Sequence, residues 1–422
     1  MVCAFIILPF KNNNKPGPAM KITGIETINL KEFRNVTWVR VHTDAGSFGL
    51  GETFYGTEAV CGFIHETLAH ELIGRDPTQI DAISRLLLNP ICGFNSTGAE
   101  MRAASAIDIA LWDLAGKTLG VPVHQLLGGK SREKIRAYNT CAGYQYVKDK
   151  QVNTTEDWST ESVSDGPYED LEAFLTDAGP LAQSLLDMGI RGMKIWPFDQ
   201  FAVKTNGTDI SPEDLEAGLR PFKQIREAVG DAMDIHVELH SVWNLPMAEK
   251  IARALKPYNV YWLEDPIKMT NVDALAEYAR RADTWVTASE NLATRWSFRE
   301  LFEKRATDVC MLDIGWCGGL TEAKKIATMA ETYELPVAPH DCTGPGLLTA
   351  AVHLSINLPN ALVQEMVRAF YFGWYSDLME GLPVFENGYL LAPTAPGLGI
   401  SLSPKVFERS DATIRITGSR CT

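Results

Sequence analysis

Six charged or imidazole side chains stand at the ends of successive apolar runs, and their types suit proton transfer and metal binding. Glu238 lies within Asp234–His240, Glu264 within Val260–Pro266, Glu290 within Trp285–Asn291 and Asp313 within Val309–Ile314; His340 ends Leu335–His340 and Glu365 ends Ala361–Glu365. A single acid after an apolar run is ordinarily a loop residue or a helix N-cap. Six with the same placement argue for one shared mouth. Glu238, Glu264 and Glu290, brought together from adjacent strands, would repel one another unless a cation sat between them, because buried like charges cannot all stay ionised. An all-oxygen donor set selects a hard cation of the magnesium type over zinc.

The elements that must position these side chains follow from their spacing. Each run is a buried-strand pattern of about four to six residues. From Glu264 to Glu290, Asp313, His340 and Glu365 the steps are about 25 residues, with mostly amphipathic helix between. That is the period of strand, loop and helix around a parallel barrel, where reactive residues sit at the C-terminal strand ends. Lys134–Thr140 is the expected first strand and Arg191–Trp196 the second. Between them a long polar segment, roughly Tyr146 to Asp170, reads either as a lid or as disordered chain.

Upstream, residues 20–55 alternate apolar and polar around Asp44-Ala-Gly46, a hairpin signal. Helical spacing follows over 58–88 and 98–118, and the second helix is alanine-rich and stopped by Gly120-Val-Pro122. The expected organisation is an N-terminal α+β domain at 20–133, a barrel at 134–380, and a C-terminal segment, 381–422, that packs back on the first domain. Residues 1–19 read as a disordered extension, with Met20 as the alternative start.

Composition bounds the function. The 422 residues are 45% hydrophobic and 22% charged, with a net charge of −14. No basic run exists to meet nucleic acid, and the apolar stretch Val2–Phe10 is too short to span a bilayer. Eight cysteines are scattered without paired spacing, which fits reduced thiols in a cytoplasmic protein.

At this point the residues carry a family likeness. Ser105–Lys117 with Gly120-Val-Pro122, Trp262-Leu-Glu-Asp-Pro266, Ser289-Glu-Asn291, Asp313 with Gly318-Gly-Leu-Thr-Glu322, His340, and Pro396-Gly-Leu-Gly399 occur in order. In this arrangement the chain resembles the mandelate racemase subgroup of the enolase superfamily over nearly all of 20–410. The resemblance implies an α/β fold, a modified TIM barrel of (β/α)7β type beneath the N-terminal α+β cap, and one magnesium ion per subunit on Glu238, Glu264 and Glu290. It also implies abstraction of the proton next to a substrate carboxylate.

The remaining roles are expectations from the same resemblance. His340 would be the base, with Asp313 holding its tautomer. The family's Lys-x-Lys pair is here Lys194-Ile-Trp196, so a second base on that face is missing, and Lys194 becomes a cation for the substrate carboxylate. His240 comes two residues after Glu238, so strand alternation would point both side chains to the same side of the barrel; there it resembles the general acid of sugar-acid dehydratases, and Glu365 the acid that hydrogen-bonds the carboxylate. Lys194, Trp196, Tyr55 and Glu365 are the expected substrate contacts. The expected reaction is dehydration of a sugar acid of R configuration at C2 to a 2-keto-3-deoxy acid, by a homo-oligomer acting on a small molecule. Epimerisation or cycloisomerisation of a carboxylate sugar, and a non-catalytic binding protein on the same fold, remain the alternatives.

Overall fold

The computed structural model describes residues 20–89, 97–148 and 166–420. The expected extension 1–19 and residues 149–165 of the expected polar loop lie outside these residues. The cap is an antiparallel sheet in the spatial order Ala412–Gly418, Ile22–Leu30, Val36–Thr43, Phe48–Phe54. The turn at Asp44–Gly46 closes the hairpin, with Gly46 at φ +78°, a conformation that favours glycine. Against the last two strands lies the helix Ala99–Leu119, stopped by Gly120 in the left-handed conformation. Contact is close because two strand glycines face it: a Cβ on Gly49 would fall 1.8 Å from the Ala110 carbonyl oxygen, and one on Gly51 1.9 Å from that of Ala106.

Eight parallel positions close the barrel. Seven are strands: Lys134–Thr140, Gly192–Ile195, Asp234–Glu238, Trp262–Glu264, Trp285–Ala288, Val309–Cys310 and Gln364–Met366, the last pairing with the first. The seventh position in order is a single residue, Val337, bridged to Cys310 and to Ala361. The expected strand Leu335–His340 is cut to that one bridge because Pro336 and Pro339 flank it and have no N–H to donate. The expected strand Val309–Ile314 likewise ends at Cys310, leaving Asp313 in the loop beyond. Tyr138, Trp262, Val309, Met311, Ala338 and Val363 form a separate buried cluster inside the barrel.

The C-terminal residues first form a hairpin, Phe385–Glu386 with Tyr389–Leu391, whose second strand pairs antiparallel with barrel strand Lys134–Thr140. Ala412–Gly418 then joins the cap sheet. Cap and barrel are stitched by buried polar contacts. Glu52 accepts the N–H groups of Gly346 and Leu347 at 3.1 and 2.9 Å, capping a barrel helix, Pro345–Asn357. Thr53 donates to the Gly315 carbonyl at 2.9 Å and the Trp316 indole donates to that of Phe54 at 3.1 Å. These bonds seat cap residues 53–55 on the loop that carries Asp313. No described helix is long and apolar enough to cross a membrane.

Candidate active site

Glu238 and Glu264 end the third and fourth barrel strands, and Glu290 follows the fifth by two residues. One oxygen of each lies within 4.8 Å of the other two. Glu238 and Glu264 are buried; Glu290 is partly open to the cavity. Burial first, then the Glu238 charge beside it, drives the Glu264 carboxyl well above the usual range. Burial also opposes ionisation of Glu238, but the charges of His240 and Lys194 hold it below that range. Glu238 Oε2 is buried, with the Lys194 ammonium 3.4 Å away and no closer hydrogen-bond donor among the described residues. Hard oxygen ligands gathered this tightly fit a divalent cation of the magnesium type.

Lys194 reaches into this cluster. Its Nζ is 2.7 Å from Glu264, 2.8 Å from Glu365 and 3.4 Å from Glu238. Glu365, on the eighth strand, also takes a hydrogen bond from Thr140 and accepts the Asp341 N–H at 2.9 Å. A lysine among three buried carboxylates stays charged despite burial, and its pKa is carried well above the usual value.

Two histidines stand beside the cluster. Nδ1 of His340 is 2.7 Å from Asp313, and Nε2 is 2.7 Å from Glu290. Burial alone would lower its pKa; the charges of Glu290 and Glu365 and the bond to Asp313 raise it well above the histidine norm. His240 is placed differently from the alternation expected of a strand. The strand stops at Glu238, and His240 and Ser241 turn left-handed, at φ +42° and +58°. The His240 N–H bonds back to Glu238 Oε1 at 2.7 Å, so the turn itself sets the histidine beside the acid cluster.

Asp199 escaped the sequence reading. It begins the short helix Asp199–Ala202 after the second strand, is fully buried, and stands 2.5 Å from Nδ1 of His240. Burial raises its carboxyl to about 6 against the opposing pull of His240. The two histidines are thus built alike: His340 with Asp313 and the Trp316 ring at 5.2 Å, His240 with Asp199 and the Trp196 ring at 5.7 Å.

A cavity of about 340 Å³ joins these parts, and Tyr55, Lys194, Trp196, His240, Glu290 and His340 line it. Glu238, Glu264, Asp313 and Glu365 stand behind that lining. Tyr146, where the expected polar segment begins, and Cys342, which carried no sequence signal, line it as well. His240 and Asn291 also line a second cavity of about 740 Å³, which reaches out to Lys268.

Comparison with known proteins agrees with this architecture. Residues 178–406 match the enolase C-terminal domain-like family and residues 22–128 the mandelate racemase / muconate lactonizing enzyme N-terminal domain. An enolase of the mandelate racemase subgroup from Agrobacterium tumefaciens is 49% identical, with a TM-score of 0.83 over 94% of this chain and 99% of its own. The D-xylonate dehydratase of Haloferax volcanii is 30% identical over 92% of this chain and 88% of its own length. The D-galactonate dehydratase of Ralstonia nicotianae is 30% identical over 93% and 94%. On its two domains and on the match of both, the chain belongs to the mandelate racemase / muconate lactonizing enzyme family of the enolase superfamily.

Proposed function

We propose that this protein is a hydro-lyase that dehydrates a sugar acid to a 2-keto-3-deoxy acid. The observation that carries the reading is the placement of His340 and His240. They come from the seventh and third barrel positions, four apart in a closed ring of eight, and both line one cavity beside the acid cluster. A base on one wall and an acid on the other is what an elimination across two carbons needs. The relatives named D-xylonate and D-galactonate dehydratase support the substrate class.

Glu238, Glu264 and Glu290 would hold one magnesium ion, which when bound supplies positive charge beside the substrate carboxylate. Lys194 and Glu365 lie next to that position, the first as a fixed cation and the second as a hydrogen-bonding group. His340 Nε2 removes the C2 proton, and the C–H electron pair passes into the carboxylate to give an enediolate. Asp313 keeps the proton on Nδ1, so that Nε2 is the nitrogen that reacts. Glu290, 2.7 Å from Nε2, is one of the residues that would hold the cation, and so held it would leave that nitrogen to the substrate. The electron pair then forms the C2–C3 double bond as the C3–O bond breaks. His240 gives a proton to the departing oxygen, water leaves, and the enol becomes the ketone.

Purified protein with magnesium, screened against a library of acid sugars for 2-keto-3-deoxy products, tests the reading. Turnover of one or a few acids is expected, and loss of it in both His340→Asn and His240→Asn. Exchange of solvent deuterium into C2 without any loss of water would move the assignment to an epimerase.

A further inference from the structure

Asp199 has no part in the expected chemistry, yet it is buried where a carboxylate is costly. It is 0% exposed, its Oδ2 meets His240 Nδ1 at 2.5 Å, and the buried Trp243 side chain is its other polar neighbour. A carboxylate so placed lowers stability unless its partner repays it. Its position is nevertheless built with care. Phe198, the residue before it, packs on the helix Pro212–Val229 where Gly218 leaves room, since a Cβ there would fall 2.4 Å from the Phe198 ring. The ring also stacks on Phe222 at 5.8 Å.

His240 needs such a partner. Its side chain lines both the 340 Å³ cavity and the 740 Å³ cavity beyond it, so an unrestrained ring could present either edge to either space. The Trp196 ring meets it edge-on, at 86°, and blocks one direction without choosing a tautomer. Asp199 does choose: a carboxylate at Nδ1 keeps the proton there and leaves Nε2 as the other nitrogen. We propose that Asp199 is a positioning residue for the departing-group half of the reaction, holding His240 so that Nε2 serves the 3-hydroxyl, as Asp313 does for His340 in proton abstraction. The proposal rests on the dehydratase reading above and adds a second histidine–aspartate pair to it.

The test separates the two halves of the reaction. With an acid sugar that the wild type dehydrates, three rates are measured for Asp199→Asn and Asp199→Ala: loss of water, exchange of solvent deuterium into C2, and fluoride release from the 3-deoxy-3-fluoro analogue. In the analogue the C3–F bond breaks, fluoride departs with the electron pair and needs no proton, and the enol gives the same keto acid. Loss of water is expected to fall by about 10²-fold or more, as for a general acid misplaced, while exchange and fluoride release stay within roughly threefold. Thermal stability is expected to hold or rise. Loss of water at the wild-type rate would overturn the proposal, and so would an equal fall in all three rates, which marks a merely structural role. Independently of turnover, ¹⁵N-histidine spectra of the Asp199→Ala variant should lose the hydrogen-bonded Nδ1–H resonance that His240→Asn also removes. Its persistence would overturn the proposal whether or not any acid is turned over. A wild type silent on every acid, with that resonance lost as expected, would instead sink the dehydratase reading.

Discussion

Glu238 and Glu264 stand directly opposite each other in the third and fourth barrel strands, and both side chains are buried. Two carboxylates in register at the end of a parallel pair resist ionising together; Lys194 offsets part of that repulsion, and a divalent cation would offset the rest. Magnesium is therefore expected to stabilise the folded protein. At a hundred times its dissociation constant the gain is about 2.7 kcal/mol, a measurable rise in melting temperature. Glu264→Gln should abolish most of that rise and weaken magnesium binding in a calorimetric titration. A variant that binds magnesium as tightly as the wild type would remove Glu264 from the ligand set.

Asp313 would act on the proposed reaction through His340, which it meets at 2.7 Å. Asp313→Asn keeps the shape but cannot hold the imidazole with its proton on Nδ1, so Nε2 is no longer reliably the basic nitrogen. The rate of C2 exchange is expected to fall by about 10²- to 10⁴-fold, with the magnesium-induced rise in melting temperature intact. If that rise vanished as well, the loss would belong to the site's architecture and not to the base.

The contrast between Asp313 and Asp199 shows what the sequence could reveal. Asp313 ends an apolar run at the period of the barrel, so its place near His340 follows from strand order. Asp199 follows Trp196-Pro-Phe in a turn with no periodicity, and its partner lies 41 residues away. Nothing local marks it. The strand ends were legible because burial writes itself as short apolar runs; Lys134–Thr140 has the same bounds in sequence and structure. The seventh position was over-read, since its apolar run carries the prolines that restrict it to one bridge. His240 was found for a reason the fold does not use: strand alternation suggested it, and a left-handed turn places it.

Gly49 and Gly51 fix how near the cap helix Ala99–Leu119 can come to its sheet. The atoms in the way are carbonyl oxygens of the helix itself, which cannot move without the helix. Either glycine changed to alanine is expected to cost about 3 kcal/mol or more, beyond ordinary overpacking because backbone must shift. Urea unfolding gives the difference. A loss below about 1 kcal/mol would mean that the helix can withdraw from the sheet at little expense.

His353 couples stability to acid. It lies in the barrel helix Pro345–Asn357, where Nδ1 accepts the His124 N–H at 3.1 Å and Nε2 donates to the Leu398 carbonyl at 3.0 Å. Both nitrogens are used by the neutral ring, and a proton on Nδ1 would displace the His124 bond. Burial, with the neighbouring His124 ring stacked at 5.4 Å, lowers its pKa to about 4. The unfolded chain, with an ordinary histidine, takes up its proton near pH 6.5, so between pH 6.5 and 4 it binds more protons than the folded state. The His353 contribution is thus full above that window and is lost as the pH falls through it, by about 3 kcal/mol in all. His353→Gln keeps a donor and an acceptor but no titration. It is expected to be less stable than the wild type at pH 7.5, and the gap should narrow steadily toward pH 4.5 in unfolding measurements at matched ionic strength. A gap that stays constant over that range would show that the joint between cap, barrel helix and C-terminal segment tolerates a charged His353.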